Sequence, residues 1–79
     1  MLKRYPEELF DEIKLLSKFP DETQLEGIKI HHEADETIRT SARSLFDKGM
    51  ISQMDGGYLT PRGQETLEHL HIVLDALKP

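Results

Sequence analysis

Apolar residues recur at helical spacing in three parts of the chain, and the first part lies near the start. Leu9, Ile13 and Leu16 form one stripe, and Pro6 precedes them. Proline suits the first turn of a helix, because the N–H that it lacks has no partner there. The pattern therefore predicts a first helix over residues 6–18.

A second apolar stripe predicts a longer helix over residues 35–48. Asp35 is a suitable N-cap residue, and Gly49 can end the helix in the left-handed conformation. The opposite face of this helix is polar and of mixed charge. The apolar stripe consists of Ala34, Ile38, Ala42, Leu45 and Phe46.

Shorter elements are predicted on both sides of the second helix. A capping-box pattern indicates a short helix or turn over residues 23–27, and the alternation that follows indicates a possible strand over 28–31. Asp55-Gly56 stands between two short apolar-rich runs, which is typical of a β-hairpin. We predict that hairpin over residues 50–60.

The last element is a helix over residues 61–77. Thr60 is expected to cap it, with Pro61 in the first helical position. Gly63 allows this helix to pack closely against the hairpin. Leucines recur along one face of the helix at Leu67, Leu70, Leu74 and Leu77.

This order of elements, a mainly α chain with a small β-hairpin, resembles a single winged helix-turn-helix domain spanning residues 1–79. The likeness to MarR- and PadR-type regulators rests on two segments, Leu45-Phe46-Asp47-Lys48-Gly49-Met50-Ile51 and Tyr58-Leu59-Thr60-Pro61-Arg62-Gly63. The chain also resembles a small family of uncharacterised bacterial proteins of similar length. The winged-helix resemblance implies a small transcriptional regulator or accessory factor that binds double-stranded DNA.

Candidate DNA contacts follow from that resemblance and from the polar face of the second helix. Arg39 and Arg43 are one turn apart, so they can reach phosphates or base edges from one groove. The alternative is an ordinary solvated face, with Glu36 and Asp47 as local ion-pair partners. The full candidate set is Arg39, Thr40, Arg43, Ser44, Thr37, Lys29 and Arg62.

Composition limits these hypotheses. The 79 residues include 10 Lys+Arg against 15 Asp+Glu, a formal net charge of −5, and no cysteine. The charge disfavours a nucleic-acid binder that uses its whole surface, and the missing thiols exclude disulfides and thiolate chemistry. No motif indicates catalysis, a metal or a cofactor, and no apolar run approaches the ~18 residues of a membrane span. We expect a cytoplasmic protein that is not an enzyme.

The acidic balance keeps a second function open. An acidic winged-helix-like module could bind proteins without contacting DNA. In the regulators that the chain resembles, helices flanking the winged domain often form dimers. We therefore predict a homodimer or protein-partner interface at the leucine face of the last helix, formed by Leu67, Leu70, Leu74 and Leu77.

Overall fold

The computed structural model describes residues 5–19 and 27–79. Within these ranges the chain forms three helices and a small three-stranded antiparallel sheet, which confirms the predicted mainly α architecture with a β-hairpin. The predicted turn at 23–27 lies almost wholly outside the described residues. In chain order the elements are α1 (Glu7–Leu16), β1 (Ile28–Lys29), α2 (Glu36–Asp47), β2 (Ile51–Gln53), β3 (Gly56–Leu59) and α3 (Pro61–Leu77).

Helix α1 packs against α2 through a face that is rotated from the predicted stripe. Leu15 and Leu16 are buried, whereas Leu9 and Ile13 are only half-buried. The centre of the buried face includes a carboxylate, Glu12. Its burial is possible because α2 supplies hydrogen-bond donors to it.

Helix α2 begins and ends close to the predicted bounds. Asp35 is the N-cap residue, but its side chain makes no capping hydrogen bond. At the other end Gly49 adopts a positive φ of 78°, which ends the helix as predicted. Ala42 and Leu45 are fully buried, while Phe46 lies at the edge of the stripe and is partly exposed.

The predicted hairpin is part of a sheet with strand order β1-β3-β2. The possible strand at 28–31 is confirmed for Ile28 and Lys29, which pair with Gly57 and Gly56 of β3. Side chains at these two glycines are excluded, because a β-carbon on Gly56 would overlap the Ile28 carbonyl and both glycines have positive φ. Backbone packing therefore holds the hairpin, called the wing below, against β1.

Helix α3 starts as predicted. The Thr60 hydroxyl accepts a hydrogen bond from the Gly63 N–H at 3.0 Å, and Pro61 follows Thr60. A β-carbon on Gly63 would overlap the Met50 carbonyl oxygen, so this glycine allows the close approach of α3 to the wing. In the described part of the chain, no helix has the length and apolar character needed to cross a membrane.

One core joins these elements, and it corrects one prediction. Leu67 is completely buried, so it belongs to the core of the protein itself and not to a partner interface. Met54, at the tip of the wing, lies outside this core and is 50% exposed. The buried apolar residues are Leu15, Leu16, Phe19, Ile30, Ala42, Leu45, Ile51, Leu59 and Leu67.

Within the described residues, α2 is not joined to a second helix by a short turn, as the helix-turn-helix interpretation would require. Residues 27–79 are continuous, and between β1 and β2 they contain one helix, α2. A helix-turn-helix unit needs two helices joined by a short turn. Residues 30–35, which connect β1 to α2, form a turn in which the Ala34 N–H donates to the His31 carbonyl. The arrangement of α2 and the wing is consistent with a winged helix.

Candidate nucleic-acid interface

A cleft of about 430 Å³ lies between the N-terminal half of α2, the end of β1 and the tip of the wing. Three basic side chains reach it from two elements: Arg39 and Arg43 from α2, and Lys29 from β1. The sequence separates these residues by up to 14 positions, and the sheet brings them together. The other residues that line this basic cleft are Ile30, His31, His32, Met54 and Asp55.

The two arginines lie one helical turn apart on α2, with their side chains on the same side. The Arg39 Nε–H donates to the Ala34 carbonyl at 3.0 Å. This bond uses one of the five guanidinium N–H donors and orients the group at the mouth of the cleft. Arg43 lines the cleft beside it.

The one carboxylate among the lining residues of the basic cleft is at the tip of the wing. Asp55 Oδ2 is 3.3 Å from Lys29 Nζ, and the two side chains are 45% and 82% exposed. An exposed ion pair of this kind contributes at most ~1 kcal/mol and is easily exchanged for another partner. Three positive groups against one negative group leave the cleft with a formal charge of +2.

Two imidazoles complete the basic cleft. The rings of His31 and His32 are stacked, with their centroids 4.7 Å apart and their planes inclined by 25°. His31 Nδ1 also accepts a long hydrogen bond, 3.4 Å, from the Glu33 N–H. Stacked rings at the edge of a basic cleft offer a flat surface beside the cationic groups.

On its other side, α2 borders a second groove of opposite charge. This acidic groove, about 460 Å³, lies between α1 and α2. Its described lining residues include no basic side chain. They carry five carboxylates and four hydroxyls, from Glu8, Asp11, Glu12, Asp35, Glu36, Thr37, Thr40, Ser41 and Ser44.

Three of the predicted DNA-contact residues, Thr37, Thr40 and Ser44, line the acidic groove and not the basic cleft. Ser44 donates its hydroxyl hydrogen bond to Glu12 Oε1 at 3.0 Å, so it serves the contact between α1 and α2. Thr37 also lines the α1 side of the helix, away from the two arginines. Thr40 borders both sides, because it also lines a depression with Glu36, Arg39 and Arg43.

Arg62 is placed apart from the other candidate contacts. It lies at the start of α3 beside Gly49, which follows the C-terminal end of α2. Arg39 is in the first turn of α2, ten residues earlier, which corresponds to ~15 Å along a helix axis. The described structure therefore groups Lys29, Arg39 and Arg43, and leaves Arg62 outside that group.

The predicted partner interface is divided by the fold. Leu67 is buried and Leu70 is half-buried against the core, whereas Leu74 and Leu77 are 42% and 77% exposed. Val73, on the same helix, is also half-exposed.

Sequence reasoning missed the histidines and Glu12. The stacking of His31 and His32 beside the basic cleft has no sequence signal. Among the described residues, no group of three His, Asp or Glu side chains is arranged to hold a metal ion. Glu12 is one of several acids in α1, and only the packing of α1 on α2 distinguishes it.

Comparison with known proteins identifies a family. The model of a family of unknown function, DUF5669, matches residues 3–78. The chain belongs to this family. No curated protein and no solved structure gives a significant match to it. The family assignment accords with the resemblance to small uncharacterised proteins.

Proposed function

We propose that this DUF5669 protein binds double-stranded DNA, with α2 directed toward the major groove and a phosphate backbone lying in the basic cleft. The observation that carries the proposal is the convergence of Lys29, Arg39 and Arg43 on one concave surface between a helix and a wing. Phosphate contacts supply much of the affinity of DNA-binding proteins, and they come mainly from basic side chains.

The placement of charge supports this proposal despite the net charge of −5. The basic cleft has a formal charge of +2, whereas the acidic groove on the other side of α2 carries five carboxylates. A polyanion is repelled by one side of the helix and attracted by the other. The local potential at the contact surface decides binding, and it differs from the average over the whole molecule.

The position of the cleft also suits a phosphate backbone. Its volume of about 430 Å³ lies between α2 and the tip of the wing, beside the exposed side chains of α2. One strand of backbone can lie there while the exposed face of α2, with Arg39 and Thr40, meets base edges. In that complex, Lys29 exchanges its ion pair with Asp55 for one with a phosphate.

Fluorescence anisotropy with a mixed-sequence DNA duplex tests the proposal. With about three phosphate contacts, affinity is expected to fall about 40-fold between 50 and 200 mM salt. The double variant Arg39→Ala/Arg43→Ala should lose about tenfold or more in affinity, and its salt dependence should be shallower by about two contacts.

A control with the same change in charge separates local contacts from net charge. Lys14→Ala/Lys78→Ala also removes two positive charges, from exposed positions on α1 and after α3. This control should keep most of the wild-type affinity. Equal losses in the two double variants, or no binding by the wild-type protein at low salt, would refute the proposal.

A second function is favoured by the acidic groove. Four carboxylates of the acidic groove, those of Glu8, Asp11, Asp35 and Glu36, suit a basic segment of a protein partner, which is the acidic-module alternative. The same anisotropy experiment distinguishes the two functions, because a protein-binding module without DNA contact would leave the duplex free at every salt concentration. Glu8→Lys/Glu36→Lys would then abolish binding of a basic partner, and it would not weaken DNA binding.

A further inference from the structure

The C-terminal half of α3 extends away from the core. Gly63 and Leu67 are buried, Leu70 is half-buried, and every residue from Ile72 to Pro79 is exposed. The helix nevertheless continues to Leu77. Helical turns without tertiary packing are only marginally stable in water, and an apolar face in contact with another surface is what normally stabilises them.

The apolar face of this extension continues the buried face of the same helix. Residues 67, 70, 74 and 77 are spaced by three, four and three positions, which is the a/d spacing of a coiled coil. Since each residue turns a helix by ~100°, Val73 lies on the same side of α3 as these leucines. We call Leu70, Val73, Leu74 and Leu77 the α3 stripe.

Charge is absent from the α3 stripe, although the chain is strongly acidic. At ~100° per residue, the stripe covers an arc of ~100°. Glu68 and Asp75 lie well outside this arc, on the far side of the helix. Two copies can therefore bring their stripes together without placing carboxylates against each other, even though each chain has a net charge of −5.

We propose that two copies of this chain associate through their α3 stripes, helix against helix. A narrow a/d stripe matches the width of another helix, and an identical stripe is supplied by every other copy. The contact is symmetric, since a twofold axis applies the same residues from both sides. This inference does not depend on DNA binding.

The size of the stripe sets the strength of the association. The α3 stripe covers about two turns of one helix, which bury less than the ~800 Å² per partner of a standard stable interface. The dimer is therefore weak, with a dissociation constant in the micromolar range, and it dissociates on dilution. Concentration must be varied in any test.

Sedimentation equilibrium from about 5 to about 500 µM tests the proposal. The wild-type protein should change from monomer to dimer mass over this range, and Leu77→Asp should remain a monomer. Ile72→Asp is the matched control, because Ile72 is 66% exposed on the other side of the same helix and Leu77 is 77% exposed. The Ile72 variant should dimerise like the wild type.

Two results would overturn the inference: a wild-type protein that stays monomeric over the whole range, or equal loss of association in the two aspartate variants.

A second measurement decides the matter if Leu77→Asp does not fold. The chain has no cysteine, so Leu74→Cys and Ile72→Cys each introduce one thiol. Under mild oxidation L74C should form a disulfide-linked dimer about tenfold faster than I72C, since Leu74 lies near the middle of the exposed stripe. Equal rates would refute the contact.

Discussion

Replacing Glu12 by alanine is expected to destabilise the fold more than replacing an exposed carboxylate such as Glu68. Glu12 is 7% exposed and lies between α1 and α2. Its Oε1 accepts hydrogen bonds from Lys48 Nζ at 2.7 Å and from the Ser44 hydroxyl at 3.0 Å. The substitution removes both bonds and leaves the Ser44 hydroxyl without its acceptor in a half-buried position.

The size of the effect follows from these contacts. A hydrogen bond to a charged group contributes about 1.5–3 kcal/mol, and Lys48 is half-exposed, so its bond belongs at the lower end of that range. Adding a smaller contribution from Ser44 gives a loss of about 2–3 kcal/mol. A chain of this length has a free energy of unfolding of about 4–12 kcal/mol. At about 4–8 °C per kcal/mol, the melting temperature should fall by about 8–24 °C.

Urea titration followed by circular dichroism measures this loss. Glu12→Gln should cost about half as much as Glu12→Ala, because the amide oxygen still accepts from Ser44 and Lys48. Glu68→Ala, at an exposed site in the middle of α3, is the control and should change stability by less than about 0.5 kcal/mol. A double-mutant cycle with Lys48→Met should give a coupling energy of about 1 kcal/mol. If Glu12→Ala costs no more than the Glu68 control, the buried bond is not a stabilising contact and the reasoning fails.

Two further predictions concern the wing. Asp55→Asn removes the carboxylate that lies 3.3 Å from Lys29. It should therefore raise the affinity for duplex DNA about three- to fivefold, measured by anisotropy at low salt. Unchanged or weaker binding would contradict the placement of phosphate in the basic cleft. Gly63→Ala should lower the free energy of unfolding by about 1–2 kcal/mol, since overlap with the Met50 carbonyl outweighs the better helix propensity of alanine. A thermal melt checks this, and an increase in melting temperature would show that α3 and the wing separate easily.

Local signals in the sequence predicted the elements of the fold well. Thr60-Pro61 marked the start of α3, Gly49 ended α2, and Asp55-Gly56 placed the reversal of the wing. Each depends on the backbone chemistry of one or two residues, so no knowledge of tertiary packing is needed. The spacing of Arg39 and Arg43 likewise placed both on one side of α2.

The pattern of apolar and polar residues could not predict features that depend on packing between distant elements. Leucine spacing alone cannot show where α3 leaves the core, so Leu67 and Leu77 looked equivalent although one is buried and the other is exposed. Ser44 looked like a free hydroxyl on a polar face, because the sequence does not show that α1 brings Glu12 against it. The pairing of β1 with β3, which brings Lys29 to the cleft, joins residues almost thirty positions apart.

Helix α2 lies between two grooves of opposite charge, and this creates a local electric dipole across the helix. The total charge governs how often the protein meets a polyanion, whereas the dipole exerts a torque that turns its basic side toward the polyanion before contact. Under the proposed function, a chain with more acids than bases can therefore approach DNA in one productive orientation and be repelled in the others.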